Sequence, residues 1–507
     1  MDPAGEHLAA HAAATPDKAA VVMHPSGAIR TYAEIEEAST RLARALRTRG
    51  LGVGDHVAVL LENQPEFYDV VWAAQRIGCY VTPINWHLTA EEAGYIVSDC
   101  DATALVATAH LAAVVAAMGE HLSAVTTRIA VDGDLPGFER YADLVAGVAA
   151  TELADQREGG WMFYSSGTTG QPKGILPPLL DVDLGARSFL TQLLTGLFGF
   201  SADTVYLSPA PLYHAAPAGW TVGTQRLGGT AVVMEHFDAL ELLAAIERHR
   251  VTHVQLVPTH MIRLLRLRDE ARARYDLSSL RLVVHAAAPC PVEVKQASLE
   301  WLGPIVHEFY SGSEGAGFTY IGPEDWLAHP GSVGQSMTGT IHVLDDGGRE
   351  VPVGEEGEIW FETNRTFEYH RDPEKTKAAW DPRGWSWLGD VGRVDEEGYL
   401  YLTDRASHMI ISGGVNIYPR EIEDVLVMHP AVDDVAVIGT PDDDMGERVT
   451  AFVQLARGAE ATEDDLIAFT RDRLSHFKCP RDVHFVEALP RLPTGKLLKR
   501  LLLGSPS

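Results

Sequence analysis

Twelve residues, "FYSSGTTGQPKG" from Phe163 to Gly174, combine three glycines, four Ser/Thr hydroxyls and one lysine. That is the chemistry of anion binding. Gly167, Gly170 and Gly174 let the backbone turn through positive φ and approach a ligand closely. Turned amides, the hydroxyls of Ser165, Ser166, Thr168 and Thr169, and the Lys173 ammonium suit a phosphate chain. The stretch is not a P-loop of the G-x-x-x-x-G-K-[ST] type. Gly174 stands where that motif needs a Mg²⁺-binding hydroxyl, and Pro172 keeps the loop from running straight into a helix. The alternative is a plain surface turn; the length, hydroxyls and lysine argue for a polyphosphate-handling loop.

Five further stretches carry reactive or binding residues. "EFYSGSEGAGF" sets Tyr310, Ser313 and Glu314 among glycines, where a tyrosine can stack on a base and a carboxylate can hold Mg²⁺. "GWSWLGDVGRVDEEGYLYLTDR" holds Asp390, an acceptor for ribose hydroxyls, and Arg405, a donor to ribose or phosphate. "MIISGGVNIYPREIE" places two glycines ahead of a helix start. "PLYHAAPAGW" has His214 amid small apolar residues, and "LPRLPTGKLLKR" offers Lys496 in a loop framed by proline and glycine. Each taken alone has a plainer reading: a polar turn, a hairpin residue, a packed histidine, a solvated lysine.

The chain around these stretches reads as an α/β protein. "HVAVLLEN", "YVTPIN" and "ATALVAT" read as strands, each followed by a helical pattern, as in a parallel sheet covered on both faces. A second set follows the glycine loop: "TVYLSPA", "TAVVM", "THVQLVP" and "LRLVVHAAA". Around 330–362, short alternating runs split by Asp-Gly, Gly-Gly and Pro read as antiparallel hairpins and a small barrel-like part. The expected architecture is a large N-terminal domain of doubly wound sheets plus that part, followed by a small mobile α+β domain. In the latter, Pro419 opens one helix and Thr462 caps another with Asp465 three residues on. The boundary is expected between 406 and 407.

With 507 residues the chain exceeds one core. A formal charge of −29 argues against general nucleic-acid binding and against adhesion to anionic membranes. The cysteines Cys79, Cys100, Cys290 and Cys479 form no metal-ligand spacing and no disulfide framework. With no signal-like N-terminus and no apolar run near the ~20 residues that span a bilayer, a cytoplasmic protein without a membrane span is expected.

The order and wording of the stretches closely resemble the superfamily of AMP-forming adenylating enzymes: acyl-CoA synthetases, adenylation domains of peptide synthetases, and luciferases. "TPDKAAV", "YSSGTTGQPKG", "PLYHAAP", "HAAAP", "YSGSEG", "GDVGRVDEEGYLYLTDR", "GGVNIYPREIE" and "PTGK" occur in family order over nearly the whole chain. The texture is nearest to fatty-acid and aromatic-acid CoA ligases. The resemblance implies ATP-dependent activation of a fatty, aromatic or cyclic acid to an acyl-adenylate with release of pyrophosphate. Transfer to the CoA thiol then releases AMP.

By that resemblance Ser165, Ser166, Gly167, Thr168, Thr169, Gly170 and Lys173 hold the β- and γ-phosphates. Ala287, Ala288 and Pro289 flank adenine, Tyr310 stacks on it, Ser313 meets the α-phosphate and Glu314 binds Mg²⁺. Asp390 and Arg405 take the ribose. Lys496 bridges carboxylate and α-phosphate, with Thr169, Glu314 and His214 beside it in the catalytic set. The acid pocket is lined by His214, Ala215, Ala216, Pro217, Ala218, Gly219 and Trp220, with Phe309, Ser311 and Gly315 opposite; Gly413 and Gly414 line a pantetheine tunnel. The hinge falls at Ser407, where Asp or Lys is usual. The partners implied are the acid, ATP and CoA, and a homodimer is admitted. Met445 and Cys479 depart from the usual CoA-nucleotide contacts, with Arg448, Lys478 and Arg481 as substitutes. An amide synthetase passing the acyl group to an amine is therefore the alternative. A nucleotide sensor without catalysis is disfavoured by the joint presence of Lys173, Glu314, Asp390, Arg405 and Lys496.

Overall fold

The computed structural model describes residues 6–165, 172–345, 347–405, 408–412, 415–442, 445–491 and 497–502. They pack as two units interleaved in sequence. The first takes Met1–Leu256, Arg263–Val284 and Thr366–Lys377; the second takes Val257–Ile262, His285–Arg365 and Ala378–Ser507.

In the first unit one parallel sheet runs in the order Glu139–Arg140, Thr127–Val131, Ala102–Thr108, His56–Leu60, Tyr80–Pro83, Gly160–Trp161. Strands such as His56–Leu60 are buried at every position, because helices cover both faces of the sheet. The helix Glu66–Gln75 is one such cover, and Gly78 just beyond it has φ +80° and sits too close to Val53 for a Cβ. The helix Ala90–Asp99 begins where Thr89 and Glu92 exchange backbone hydrogen bonds in a capping box. A second run of strands has the order His253–Leu256, Val205–Ser208, Thr230–Met234, Ala19–His24, closed by the antiparallel strand Ile29–Thr31. A third, antiparallel sheet sets Lys173–Leu176 between Phe163–Ser165 and Glu368–Tyr369.

The second unit is mostly antiparallel. Val306–Ser311, Phe318–Ile321 and Gln335–Ser336 form one ladder. Thr340–Leu344, Gly357–Glu362, Ser386–Val394 and Leu400–Arg405 form a four-stranded sheet, the first two strands of which fall in the stretch 330–362 read as hairpins. Beyond it, Val432–Asp442 and Gly446–Leu455 pair antiparallel, with Asp482–Phe485 added parallel to the latter. The helices Pro419–Leu426 and Glu463–Arg471 contribute Ile422, Leu426, Leu466 and Ile467 to the core beneath that sheet. Pro419 opens its helix and Thr462 caps the other through Asp465, as their sequence signals imply. No helix among the described residues is long and apolar enough to cross a membrane.

Candidate active site

The glycine-rich stretch is the connection of a hairpin. Phe163–Ser165 and Lys173–Leu176 pair antiparallel, with Ser165 opposite Lys173 at the loop's mouth. Pairing fixes Lys173 in a strand. Gly174, the next residue, packs so closely on Met162 that a Cβ would overlap it and would crowd Tyr164. The Lys173 ammonium is 2.5 Å from Asp372 Oδ2. The other Asp372 oxygen accepts the Lys375 amide at the start of the helix Pro373–Ala378. Hydrogen bonding to Lys173, then to that amide, holds the Asp372 carboxyl below the usual carboxylate range. The sequence reading missed Asp372; its signal was "DPEK", an Asp before a helix-opening proline. Ser166, Gly167, Thr168, Thr169 and Gly170 lie outside the described residues.

His214 is the residue before the helix Ala215–Arg226 and makes no side-chain cap bond to it. Its Nε2 is closed off from solvent with no hydrogen-bond partner, and burial pushes its pKa down to about 4. It is neutral at physiological pH. Ala215 and Ala216 open the helix half-buried; Gly219 lets Leu190 approach to 3.1 Å of where its Cβ would stand. Trp220 is 4 % exposed and packs with Phe198, Phe200 and Tyr206 in an aromatic cluster.

In the second unit, Tyr310 and Asp390 meet. The Tyr310 hydroxyl donates to Asp390 Oδ2 at 2.6 Å. Asp390 lies opposite Arg405 in the ladder between Ser386–Val394 and Leu400–Arg405. A tyrosine ring and a nearly buried carboxylate, joined this way, offer a stacking face beside an acceptor for hydroxyls. The Tyr310 ring also leans on Phe361, 6.1 Å away, which fills the space that the missing Cβ of Gly317 leaves. Ala287 holds φ +72° in the exposed turn 287–289, a conformation that costs an alanine energy and clusters at functional sites. Ser313 is exposed and Glu314 half-buried in the turn before Phe318–Ile321. Phe309 stacks on Phe318 at 5.3 Å, and the Ser311 hydroxyl is engaged by the Gly317 carbonyl. The Gly315 carbonyl accepts from Arg365 Nη1 at 3.4 Å. Among the described residues no group of three or more His, Cys, Asp or Glu side chains is placed to hold a metal ion.

Beneath Tyr310's strand is a charge cluster the sequence reading did not find. Lys295 Nζ donates to Glu308 Oε2 at 2.6 Å, and both side chains are almost fully buried. His285 Nε2 stands 3.4 Å from the same carboxylate, and burial keeps that imidazole neutral. Their stretches, "VEVKQAS" and "PIVHEFY", hold other polar residues and do not mark the pair out. Further along, Lys478 pairs with Glu421 at 2.6 Å and Arg448 with Asp482 at 3.2 Å; Cys479 is buried. Ser407, Gly413, Gly414 and Lys496 lie outside the described residues.

Residues 8–368 match the model of the AMP-binding enzyme family, and residues 421–496 match the AMP-binding enzyme C-terminal domain. The chain belongs to the AMP-binding enzyme family. Within the family it is 33% identical over 490 residues to the long-chain-fatty-acid–CoA ligase FadD13 of Mycobacterium tuberculosis, covering 95% of this chain and 94% of that one. It is 34% identical to the feruloyl-CoA synthase of an Amycolatopsis species, with 95% and 94% covered. Among solved family structures, the amide bond synthetase McbA from Marinactinospora thermotolerans superposes with a TM-score of 0.83 at 31% identity, over 98% of this chain and 99% of that one.

Proposed function

We propose that this protein activates a carboxylic acid with ATP and transfers the acyl group to the thiol of CoA. A carboxylate oxygen attacks the α-phosphorus of ATP, the bond to pyrophosphate breaks, and an acyl-adenylate forms. The thiol sulfur then attacks the acyl carbon, the bond to AMP breaks, and the thiol proton passes to solvent. The observation that carries this reading is the family match along both parts of the chain. The hairpin-mounted Lys173 and the Tyr310–Asp390 pair support it as anion and nucleoside groups.

In this reading Tyr310 stacks on adenine and Asp390 accepts from the ribose hydroxyls. Lys173 exchanges part of its contact with Asp372 for the terminal phosphates. Glu314, half-buried in a turn that adjoins Tyr310's strand, fits a Mg²⁺ ion, which takes one or two carboxylates and completes its shell with phosphates and water. The ion would draw charge off the phosphate oxygens. Lys496 would stabilise the charge that builds on the α-phosphate in the transition state. Neutral His214 leaves an approaching carboxylate its nucleophilicity, where an imidazolium would bind it as a counter-ion. The four cysteines, buried and unpaired, suit a reducing cytoplasm.

One observation favours an amine as acceptor. Two of the three cations that could grip the CoA nucleotide, Lys478 and Arg448, carry carboxylate partners, and Cys479 is buried. The fold is also that of an amide bond synthetase. The test pairs pyrophosphate release with product mass, for a panel of fatty, cinnamic, benzoic and cyclic acids with Mg-ATP and either CoA or simple amines. Acid-dependent pyrophosphate and an acyl-CoA mass support the primary reading. An amide mass without thioester supports the second. Release of no pyrophosphate with any acid overturns both.

A further inference from the structure

Three neighbouring rings at the entry to the helix Ala215–Arg226 each carry a stranded polar atom. Trp86 Nε1, the Tyr213 hydroxyl and His214 Nε2 are each closed off from solvent, and none has a hydrogen-bond partner. The Tyr213 ring meets the His214 imidazole edge-on at 4.4 Å and the Trp86 indole at 6.4 Å. Trp86 in turn lies 3.4 Å from the His87 ring, and Tyr213 is only 7 % exposed. His214 precedes the helix yet does not cap it, so its Nε2 has no structural duty there.

Buried polar groups are paired as a rule, and an unpaired one keeps its whole desolvation cost. Three such atoms on successive ring neighbours, Trp86 beside Tyr213 and Tyr213 beside His214, are therefore poorly explained by packing alone. Phenylalanine at 213 would fill the space without that cost. The indole N–H only donates, whereas the tyrosine hydroxyl both donates and accepts. Each fits a ligand oxygen: one that accepts from the indole, and one that accepts from or donates to the phenol. A hydroxyl or ketone oxygen meets both conditions; a plain alkyl or aryl carbon meets neither.

We propose that Trp86 and Tyr213 are specificity residues that recognise an oxygen carried on the acyl group beyond the reacting carboxyl. The preferred substrates are hydroxy- or keto-substituted acids. The inference rests on the acid-activation reading, in which His214 and this helix start belong to the acyl site. It adds two residues and a substrate class to it. An acid lacking the oxygen leaves the indole and phenol unpaired in the complex, and such sites reject the lacking analogue strongly.

The test uses matched pairs on the full chain: 4-hydroxycinnamate against cinnamate, and a mid-chain keto fatty acid against its unsubstituted counterpart. Dissociation constants come from calorimetry, and pyrophosphate release is followed on the same acids. The protein is expected to bind the oxygenated member of at least one pair about tenfold or more tightly, the effect of one hydrogen bond to a stranded group. In Tyr213→Phe and in Trp86→Phe that ratio is expected to fall to within about threefold, through loss on the oxygenated acid. A ratio near one for both pairs, a ratio kept in both variants, or no binding of any oxygenated acid overturns the proposal. If a variant does not fold, the ratio in the unsubstituted protein decides alone. Oxygen-selective binding without pyrophosphate release sinks the activation reading and leaves the selectivity. Pyrophosphate release indifferent to the oxygen does the reverse.

Discussion

Glu308→Ala is expected to cost the second unit a large part of its stability. The carboxylate removed is 6 % exposed and accepts from Lys295, itself 1 % exposed, at 2.6 Å. Burial pushes Glu308 up and Lys295 down, and the contact between them opposes both shifts. Deleting one partner of such a pair leaves the other charge buried and alone, which costs about 3–5 kcal/mol. For a unit of this size that is roughly 6–20 °C in melting temperature. Denaturation followed by tryptophan fluorescence suits the measurement, because the Lys295 ammonium lies 5.0 Å from the Trp326 ring. The double variant Lys295→Met/Glu308→Leu, which removes both charges and keeps the volume, is expected within about 1 kcal/mol of the parent. Lys295→Met alone is expected to be least destabilised near pH 4.5 and to weaken as pH rises. Its lone buried carboxyl keeps a proton in the folded state that the unfolded chain has released. A Glu308→Ala cost below about 1 kcal/mol, or single costs that simply add in the double variant, would refute the reasoning.

Lys496→Ala is expected to lower adenylate formation about 10²–10³-fold while sparing thioester formation from preformed adenylate; equal loss in both half-reactions removes the role. Gly317→Ala drives a Cβ into the buried Phe361 ring on which Tyr310 leans, so a rise in KM for ATP with about 1–3 kcal/mol of destabilisation is expected. Unchanged KM and stability would mean that Phe361 moves aside freely. His253 has both ring nitrogens engaged, by the Thr252 hydroxyl at 2.7 Å and the Phe198 carbonyl at 3.0 Å, and burial lowers its pKa from 6.5 to about 4. The unfolded chain therefore takes up a proton between pH 6.5 and 4 that the folded one does not. The His253 contribution is level above pH 6.5 and falls by up to about 3 kcal/mol toward pH 4. His253→Gln is expected to flatten that part of the pH profile, and an unaltered slope would place the titration elsewhere. Asp372→Asn removes the counter-charge of Lys173, whose ammonium then needs the ATP phosphates more. Tighter ATP binding in calorimetry is expected, and weaker binding would show that Asp372 positions the lysine.

What the sequence by itself determined lies within a few residues or follows a short period. Thr89 with Glu92 and Thr462 with Asp465 cap their helices because the reciprocal hydrogen bonds span a single turn. Pro419 begins a helix because it needs no backbone donor there. Apolar runs such as "HVAVL" became strands buried on both faces, and the order of motifs announced the family. Only the tertiary structure decided which distant groups meet. Lys173 finds Asp372, 199 residues on, because Glu368–Tyr369 pairs with the lysine's own strand. Tyr310 finds Asp390, and Lys295 finds Glu308, through packing and ladder register that no short window encodes. The stranded trio of Trp86, Tyr213 and His214 was equally hidden, since an orphaned atom is defined by what surrounds it in space. The two units divide the chain discontinuously for the same reason: local rules choose helices, strands and turns, while burial of apolar faces chooses their neighbours.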